Sequence, residues 1–214
     1  IKYVIKDDIK TVGDVLKKRL KLSRRLITEL KQEQKIFLNG NPVFTNVPVK
    51  LNDTIEVNIK DENTSETIIP QEIPIDILYE DEFFLAVNKP KGMVVHPTLN
   101  YKSGTLGNAV MYYYRDTPFV FRPVLRLDKD TSGIVVIAKN KLISERFSEQ
   151  LKNHDIKKTY HAIVCGSLDK GIIEAPIARS SDSIIKRCVS PSGAYSKTEY
   201  EVIFKTKTLS FIKV

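Results

Sequence analysis

The chain has 214 residues, 42% hydrophobic and 28% charged, which is the balance of a folded globular protein and leaves room for one large domain or a small one beside a medium one. Lys and Arg number 34 against 26 Asp and Glu, a net charge of +8, so polyanionic partners are favoured through steering and counterion release, nucleic acid ahead of an anionic membrane surface. No apolar run approaches the roughly 20 residues that a bilayer-spanning helix needs.

Residues 1–10 alternate charged and apolar side chains and lack the apolar stretch of a signal peptide. Thr11 is placed to cap a helix over 11–20, whose apolar positions Val12, Val15, Leu16 and Leu20 fall near helical spacing. Ser23 is placed to cap a second helix through the free amide of Arg25 or Leu26, with Leu26, Ile27 and Leu30 on its apolar face. Residues 35–44 read as a strand, a turn at Asn39-Gly40 and a returning strand. A short strand over 54–59 closes a unit of about 60 residues, small for an autonomous core but feasible. The stretch Asp61-Glu-Asn-Thr-Ser-Glu-Thr is acidic and almost without apolar residues, and Pro70 and Pro74 follow, which is the composition of a linker.

From Ile75 onward strand signals dominate, at 75–78, 83–87, 133–138, 159–164 and 195–204. Helices are predicted at 106–114 and at 141–151, the latter with Leu142, Phe147 and Leu151 on one face. This order predicts an α+β protein: a small helix-hairpin domain over 1–60, a linker over 61–74, and a mainly antiparallel mixed β-sheet domain with flanking helices over 75–214. The chain starts without Met and stops inside the alternating stretch Leu209-Ser-Phe-Ile-Lys-Val, so the second domain is expected to be incomplete at its C-terminus. Cys165 and Cys188 have no metal-ligand spacing; two ordinary buried or half-buried thiols, no metal and a reducing cytoplasm are expected.

Charge is concentrated in the first two helices. Lys10, Lys17, Lys18, Arg19, Lys21, Arg24, Arg25, Lys31 and Lys35 face only Asp14, Glu29 and Glu33. A lone basic helix is usually a solvated face. Here two helices, a Ser23-Arg24-Arg25 cap and an Asn-Gly hairpin occur together, and a helix N-terminus adds its dipole to the side-chain charge. The reading is a face for structured RNA made by Lys17, Lys18, Arg19, Lys21, Ser23, Arg24, Arg25 and Lys31. Residues 11–60 resemble the small RNA-binding domain first seen in ribosomal protein S-four, through Ser23-Arg24, Ile36-Phe-Leu-Asn-Gly and Asn52-Asp53-Thr-Ile. Asn52 stands where that family usually has Gly, and Asn also tolerates a left-handed turn. The resemblance names no reaction.

Chemistry points to Leu125-Arg126-Leu127-Asp128-Lys129-Asp130-Thr131-Ser132-Gly133, a polar loop running into the strand Ile134-Val-Val-Ile-Ala. A carboxylate flanked by Arg126 and Lys129 would be kept ionised, ready as nucleophile or base. A surface turn with an Asp cap before a buried strand fits the spacing as well.

Arg126-Leu-Asp-x-x-Thr-Ser-Gly resembles the signature of the RluA/RluD-type pseudouridine synthases, whose Asp is the catalytic residue; here that is Asp128. Asp130 falls at a variable position and receives no role. Three further blocks resemble the family in order: 75–97, which contains Asn88-Lys-Pro-Lys-Gly; Ser103-Gly-Thr-Leu-Gly-Asn-Ala; and Lys157-Lys-Thr-Tyr-His-Ala-Ile-Val-Cys-Gly, whose tyrosine is Tyr160. The resemblance implies isomerisation of a uridine flipped from its stack. Arg126 would hold the displaced RNA. Asp128 would attack the ribose anomeric carbon or abstract a ribose proton, and Tyr160 would stack on the base and handle the carbon-5 proton. It further implies no cofactor, a monomer, and large-subunit rRNA or a ribosome precursor as partner.

Two departures stand out: Leu125 occupies a position where the family commonly has His, and a Gly-Arg-x-His-Gln-Ile-Arg block is expected beyond residue 214. The alternatives are a non-catalytic RNA-binding ribosome-assembly factor, and a glycoside hydrolase pairing Asp128 with Glu145, which lacks an acid/base pair at readable spacing. His96 is expected to be structural, His154 and His161 surface or strand residues, and Tyr112, Tyr113 and Tyr114 partly core.

Overall fold

Two hydrophobic clusters organise the first of two units, Ile1–Asp155 and Ile156–Val214, in a computed structural model that describes residues 1–181 and 186–214. The Thr11 side chain accepts from the Asp14 amide and opens α1 (Val12–Asp14), which widens at once into a π-helical turn over Val15–Arg19. The widening shows in the bond from the Leu20 amide to the Val15 carbonyl, 3.0 Å, where a continuous α-helix was expected. Ser23 accepts from the Leu26 amide at 3.1 Å and opens α2 (Arg24–Gln32).

These helices lie with a four-stranded antiparallel sheet made of β1 (Lys2–Val4), β2 (Ile36–Leu38), β3 (Asn41–Pro42) and β4 (Thr54–Val57), in the order β1-β4-β2-β3. Asn39 (φ 50°) and Gly40 (φ 83°) both take the left-handed conformation, as a two-residue hairpin turn of the favoured hand requires. The Asn39 side chain fixes that turn to the next strand, donating to Asp53 and accepting from the Thr54 amide, each at 2.8 Å. β1 was not expected from the sequence. Three residues are too short to show a pattern, and its partner β4 lies far along the chain.

The second cluster forms on β5 (Asp76–Glu80), β6 (Phe84–Lys89) and β7 (Gly133–Ala138), an antiparallel sheet in that order. Leu85, Val87, Val135 and Ile137 pack against Leu106 and Val110 of α3 (Leu106–Tyr113), which is opened by a capping box between Thr105 and Asn108. α4 (Lys141–Lys152) follows β7 directly, capped by Asn140. Its Leu142 is buried in the first cluster, among Leu26, Leu30 and Val15. Residues 61–74 carry neither helix nor strand, yet they are pinned to the second cluster. Asp61 forms a two-pronged ion pair with Arg122 at 2.6 and 2.8 Å, Ile68 is buried, and Asn108 donates to the Ile69 carbonyl at 2.7 Å.

The second unit is a five-stranded antiparallel sheet, β10-β9-β11-β12-β8, made of β8 (His161–Cys165), β9 (Gly171–Arg179), β10 (Arg187–Val189), β11 (Ala194–Lys205) and β12 (Leu209–Lys213). β9 and β10 are additions to the expected strands; Pro176 inside β9 masked the first of them. Cys165 and Cys188 are exposed, contrary to the expected burial, because each lies on an edge strand of this sheet. The architecture is α+β, with antiparallel sheets and few helices. No helix among the described residues is long and apolar enough to cross a membrane.

Candidate active site and basic face

The loop carrying Asp128 is held from beneath by a buried cation. Along β6 the inward positions are Leu85, Val87 and Lys89, so period-two alternation drives a lysine into the core, where it is fully buried. Its Nζ donates to the carbonyls of Pro90 (2.9 Å), Met93 (2.7 Å) and Lys129 (3.2 Å). The Lys129 carbonyl also accepts from the Gly92 amide at 2.8 Å, so the residue after Asp128 is tied both to the last residue of β6 and to the segment that follows it. Burial pushes the Lys89 ammonium below its ordinary pKa, against the opposing pull of Asp130 and Asp128. The loop then enters β7 through Gly133, whose φ of +128° disfavours any residue with a side chain.

Above this anchor Arg126, Asp128, Lys129 and Asp130 are exposed, while Leu127 packs on the second cluster. The Asp128 carboxylate has no hydrogen-bond or ion-pair partner among the described residues; only its backbone carbonyl is used, by the Thr131 amide at 3.2 Å. Lys129, its flanking cation, forms no ion pair with it. Its Nζ turns away to donate to the Tyr101 hydroxyl at 3.1 Å and sits 4.8 Å from that ring's centre, a contact that raises its pKa. The result is an open carboxylate on a rigidly tethered loop, available to an incoming electrophile or proton donor. Arg126 has no side-chain partner among the described residues and is free to meet an anion.

Tyr160 lies in the second unit, 39% exposed, its backbone exchanging two hydrogen bonds with Val214 at 2.8 and 2.9 Å. An open cleft of about 1070 Å³ in that unit is lined by Tyr160 with Lys157, Lys158, Lys170, Lys197 and Lys213. His96 rests 5.8 Å from the Phe121 ring with Nδ1 near the Pro97 carbonyl, and His161 packs on Phe211. Tyr113 and Tyr114 spend their hydroxyls on Glu80, at 2.8 and 2.5 Å, and Tyr114 stacks on Phe119.

Of the expected RNA-facing residues, Lys17, Lys21, Ser23 and Arg25 line a groove shared with α4, whereas Lys18, Arg19, Arg24 and Lys31 lie outside its lining. Lys18 is bridged to Asp14, Arg19 to Asp7, and Arg25 to Glu29. Lys31 lies over the Phe44 ring, and Lys17, Lys21 and Arg24 have no partner among the described residues. Among the described residues no group of His, Cys, Asp and Glu is arranged to hold a metal.

Residues 83–213, a span that includes both Asp128 and Tyr160, match the family model described as RNA pseudouridylate synthase. The chain belongs to this family. Residues 1–55 match a second model, the N-terminal domain of RluD ribosomal pseudouridine synthase. The chain is 37% identical over 203 residues to the uncharacterized RNA pseudouridine synthase YhcT of Bacillus subtilis, covering 92% of this chain and 67% of that protein. Over 188 residues it is 36% identical to YjbO of the same organism, covering 86% and 66% respectively. Over 137 residues it is 40% identical to ribosomal large subunit pseudouridine synthase D of Yersinia pestis, 63% of this chain and 42% of that one. The chain thus spans about two thirds of the length of the Bacillus relatives and less than half of the Yersinia one. Human RNA pseudouridylate synthase domain containing 1 shares the fold, with a TM-score of 0.53 at 22% identity over 67% of this chain and 59% of that one.

Two participants escaped sequence reasoning. Lys89 falls within a family block that implies no role for it, although its place on the inward face of a strand was readable from the alternation. Tyr101 left no local signal, because its contact with Lys129 spans 28 residues of sequence.

Proposed function

We propose that this protein isomerises uridine to pseudouridine in RNA, with Asp128 as the catalytic carboxylate. The observation that carries the reading is an exposed, unpartnered carboxylate in the Arg-Leu-Asp-x-x-Thr-Ser-Gly loop, on a base pinned by buried Lys89. Rigid support beneath an open reacting group is what positions it within reach of a flipped nucleoside. Asp128 attacks the anomeric carbon or removes a ribose proton, and either route breaks the bond from carbon 1′ to N1. The uracil turns, carbon 1′ bonds to carbon 5, the carbon-5 proton leaves, and N1 gains a proton. Arg126 holds the displaced RNA beside Asp128, and Tyr160 stacks on the base and passes on the carbon-5 proton.

Large-subunit rRNA is the proposed substrate, because relatives at 34–40% identity are named for that subunit. The cytoplasm is the proposed compartment and a monomer the proposed state. The working division is an RNA-binding domain over 1–60, a linker over 61–74 and a catalytic domain over 75–214. The test is release of tritium from RNA carrying uridine labelled at carbon 5. The complete protein is expected to release it and Asp128→Asn to abolish release by at least about a thousandfold, the scale of losing a group that acts in the transition state. Tight rRNA binding with no release, identical in Asp128→Asn, would make the protein a binding factor and end the enzymatic reading.

A further inference from the structure

The basic helix pair is not a free appendage. Arg146 of α4 donates to the Leu20 carbonyl at 2.8 Å, Lys141 bridges to Glu29 at 2.8 Å, and the Ser23 hydroxyl donates to Glu145 at 2.8 Å. Leu142, between the first two of these, is buried in the helix pair's own core. These interactions leave an open groove of about 870 Å³ between the basic helices and α4.

Its chemistry is that of an anion channel. Lys17, Lys21 and Arg25 come from one wall, Lys141 and Arg146 from the other, and Ser23, Ser144 and Ser148 add hydroxyls. Of the three acids in the lining, Glu29 is neutralised by Lys141 and Arg25, which hold its carboxyl below the usual range, and Glu145 accepts from Ser23. Lys17 and Lys21 are exposed and unpaired among the described residues. The groove is concave, so a flat anionic membrane cannot reach its floor; a polyanionic strand can.

We propose that this groove holds a stretch of RNA phosphodiester backbone, so that Lys141 and Arg146 of α4 bind the same RNA as Lys17 and Lys21. The proposal rests on the RNA reading above and adds a second point of grip. β7 runs from Gly133, beside the Asp128 loop, to Ala138, just before α4. Six residues of strand rise about 20 Å, which places the groove a few nucleotide steps from the reacting carboxylate. Holding backbone at that distance selects a substrate by its shape rather than by the letters beside the target.

The test uses the complete protein and a fluorescein-labelled 24-nucleotide RNA hairpin, with affinity measured by anisotropy across a KCl series. Each phosphate that is no longer neutralised lowers the slope of log affinity against log salt by about 0.7 to 0.9. Lys17→Gln/Lys21→Gln and Lys141→Gln/Arg146→Gln are each expected to lower it by about twice that. Because the second pair also docks α4, two variants that add rather than remove are decisive. Ser148→Lys and Glu149→Gln make the groove more positive without touching a docking residue, and each is expected to tighten binding several-fold at 0.1 M KCl, an effect of charge that salt erases.

If Lys17→Gln/Lys21→Gln weakens binding but Ser148→Lys and Glu149→Gln change nothing, RNA lies elsewhere on the helix pair, and the groove proposal falls while the RNA reading stands. If the wild type ignores the hairpin and binds phosphatidylglycerol vesicles instead, both fall together.

Discussion

Lys89→Met asks how firmly the Asp128 loop is held. Methionine fills nearly the same volume without the ammonium, so the change isolates three hydrogen bonds and one charge. The Lys129 carbonyl keeps its bond from the Gly92 amide, and Pro90 is exposed, so its carbonyl can turn to water. Met93 is half-buried, and its carbonyl, bonded to Nζ at 2.7 Å, bears most of the loss. An orphaned buried carbonyl costs about 1–3 kcal/mol. Against this stands relief from keeping an ammonium out of water, the effect that depresses the Lys89 pKa. The net expectation is a loss of about 1–2 kcal/mol at neutral pH, with faster hydrogen exchange at the Gly92 and Thr131 amides, which report the loop directly.

The pH dependence carries the sharper sign. The folded pKa of Lys89 lies below its unfolded value. Between the two, the unfolded chain binds the extra proton, so this group makes stability rise with pH. Tyr113 and Tyr114 act the other way. Hydrogen bonding to Glu80 for the first, and burial followed by the same bond for the second, raise their folded pKa values, so they lose stability as pH rises. The difference between wild type and Lys89→Met cancels the tyrosines. Urea unfolding from about pH 7 up to the ordinary lysine pKa of about 10.4 should show that difference widening in favour of the wild type. A constant difference, or Gly92 exchange unaltered by the substitution, refutes the claim that a buried ammonium anchors the loop.

Asp61→Asn breaks a two-pronged pair whose side chains are 10% and 13% exposed. Leaving the Arg122 guanidinium half-partnered should cost about 2–3 kcal/mol in a urea melt, toward the low side of buried pairs because Asn keeps one acceptor; a loss under about 0.5 kcal/mol would mean solvent already screens the pair. Glu80 is pushed up by burial but pulled down further by hydrogen bonds from Lys139, Tyr114 and Tyr113, for a net lowering. Its stabilisation is therefore present above the unfolded carboxyl pKa and lost as pH falls through the folded one, so Glu80→Gln should flatten the acid side of the stability profile and, because the same carboxylate raises Tyr113 and Tyr114, should also soften the alkaline loss.

Elements set by neighbouring residues were readable, and those set by distant ones were not. Thr11 and Ser23 make the caps expected of them, Asn39-Gly40 makes the hairpin turn, and β7 runs over the expected residues, because each is decided within a few positions. β1 exists only because β4 offers it an edge. β10 is three residues long and pairs with β9, a strand whose proline argued against it. At the candidate site the motif located the carboxylate, but adjacency could not show that the Lys129 ammonium bonds to the Tyr101 hydroxyl. Charge and capping marked the two basic helices. They could not say that Lys17, Lys21, Ser23 and Arg25 share a groove with α4, nor that Lys141 and Arg146 face them.

Leu142 decides whether the helix pair and the Asp128 loop behave as one body. Separating α4 from the basic helices would expose a leucine now 8% accessible and break three polar interactions. Re-exposing the leucine costs about 1.5–3 kcal/mol. The three polar interactions, partly exposed, add roughly 0.5 kcal/mol each, since their groups regain water. A total of about 3 kcal/mol or above keeps the separated form below about one molecule in a hundred. On the proposed reading, RNA meets a surface already assembled and loses little to ordering it, so affinity gained at the helices is delivered to the carboxylate at the other end of β7. Substitutions at Leu142 should consequently weaken RNA binding and slow the reaction together, even though the residue is apolar and almost wholly buried in the groove's lining.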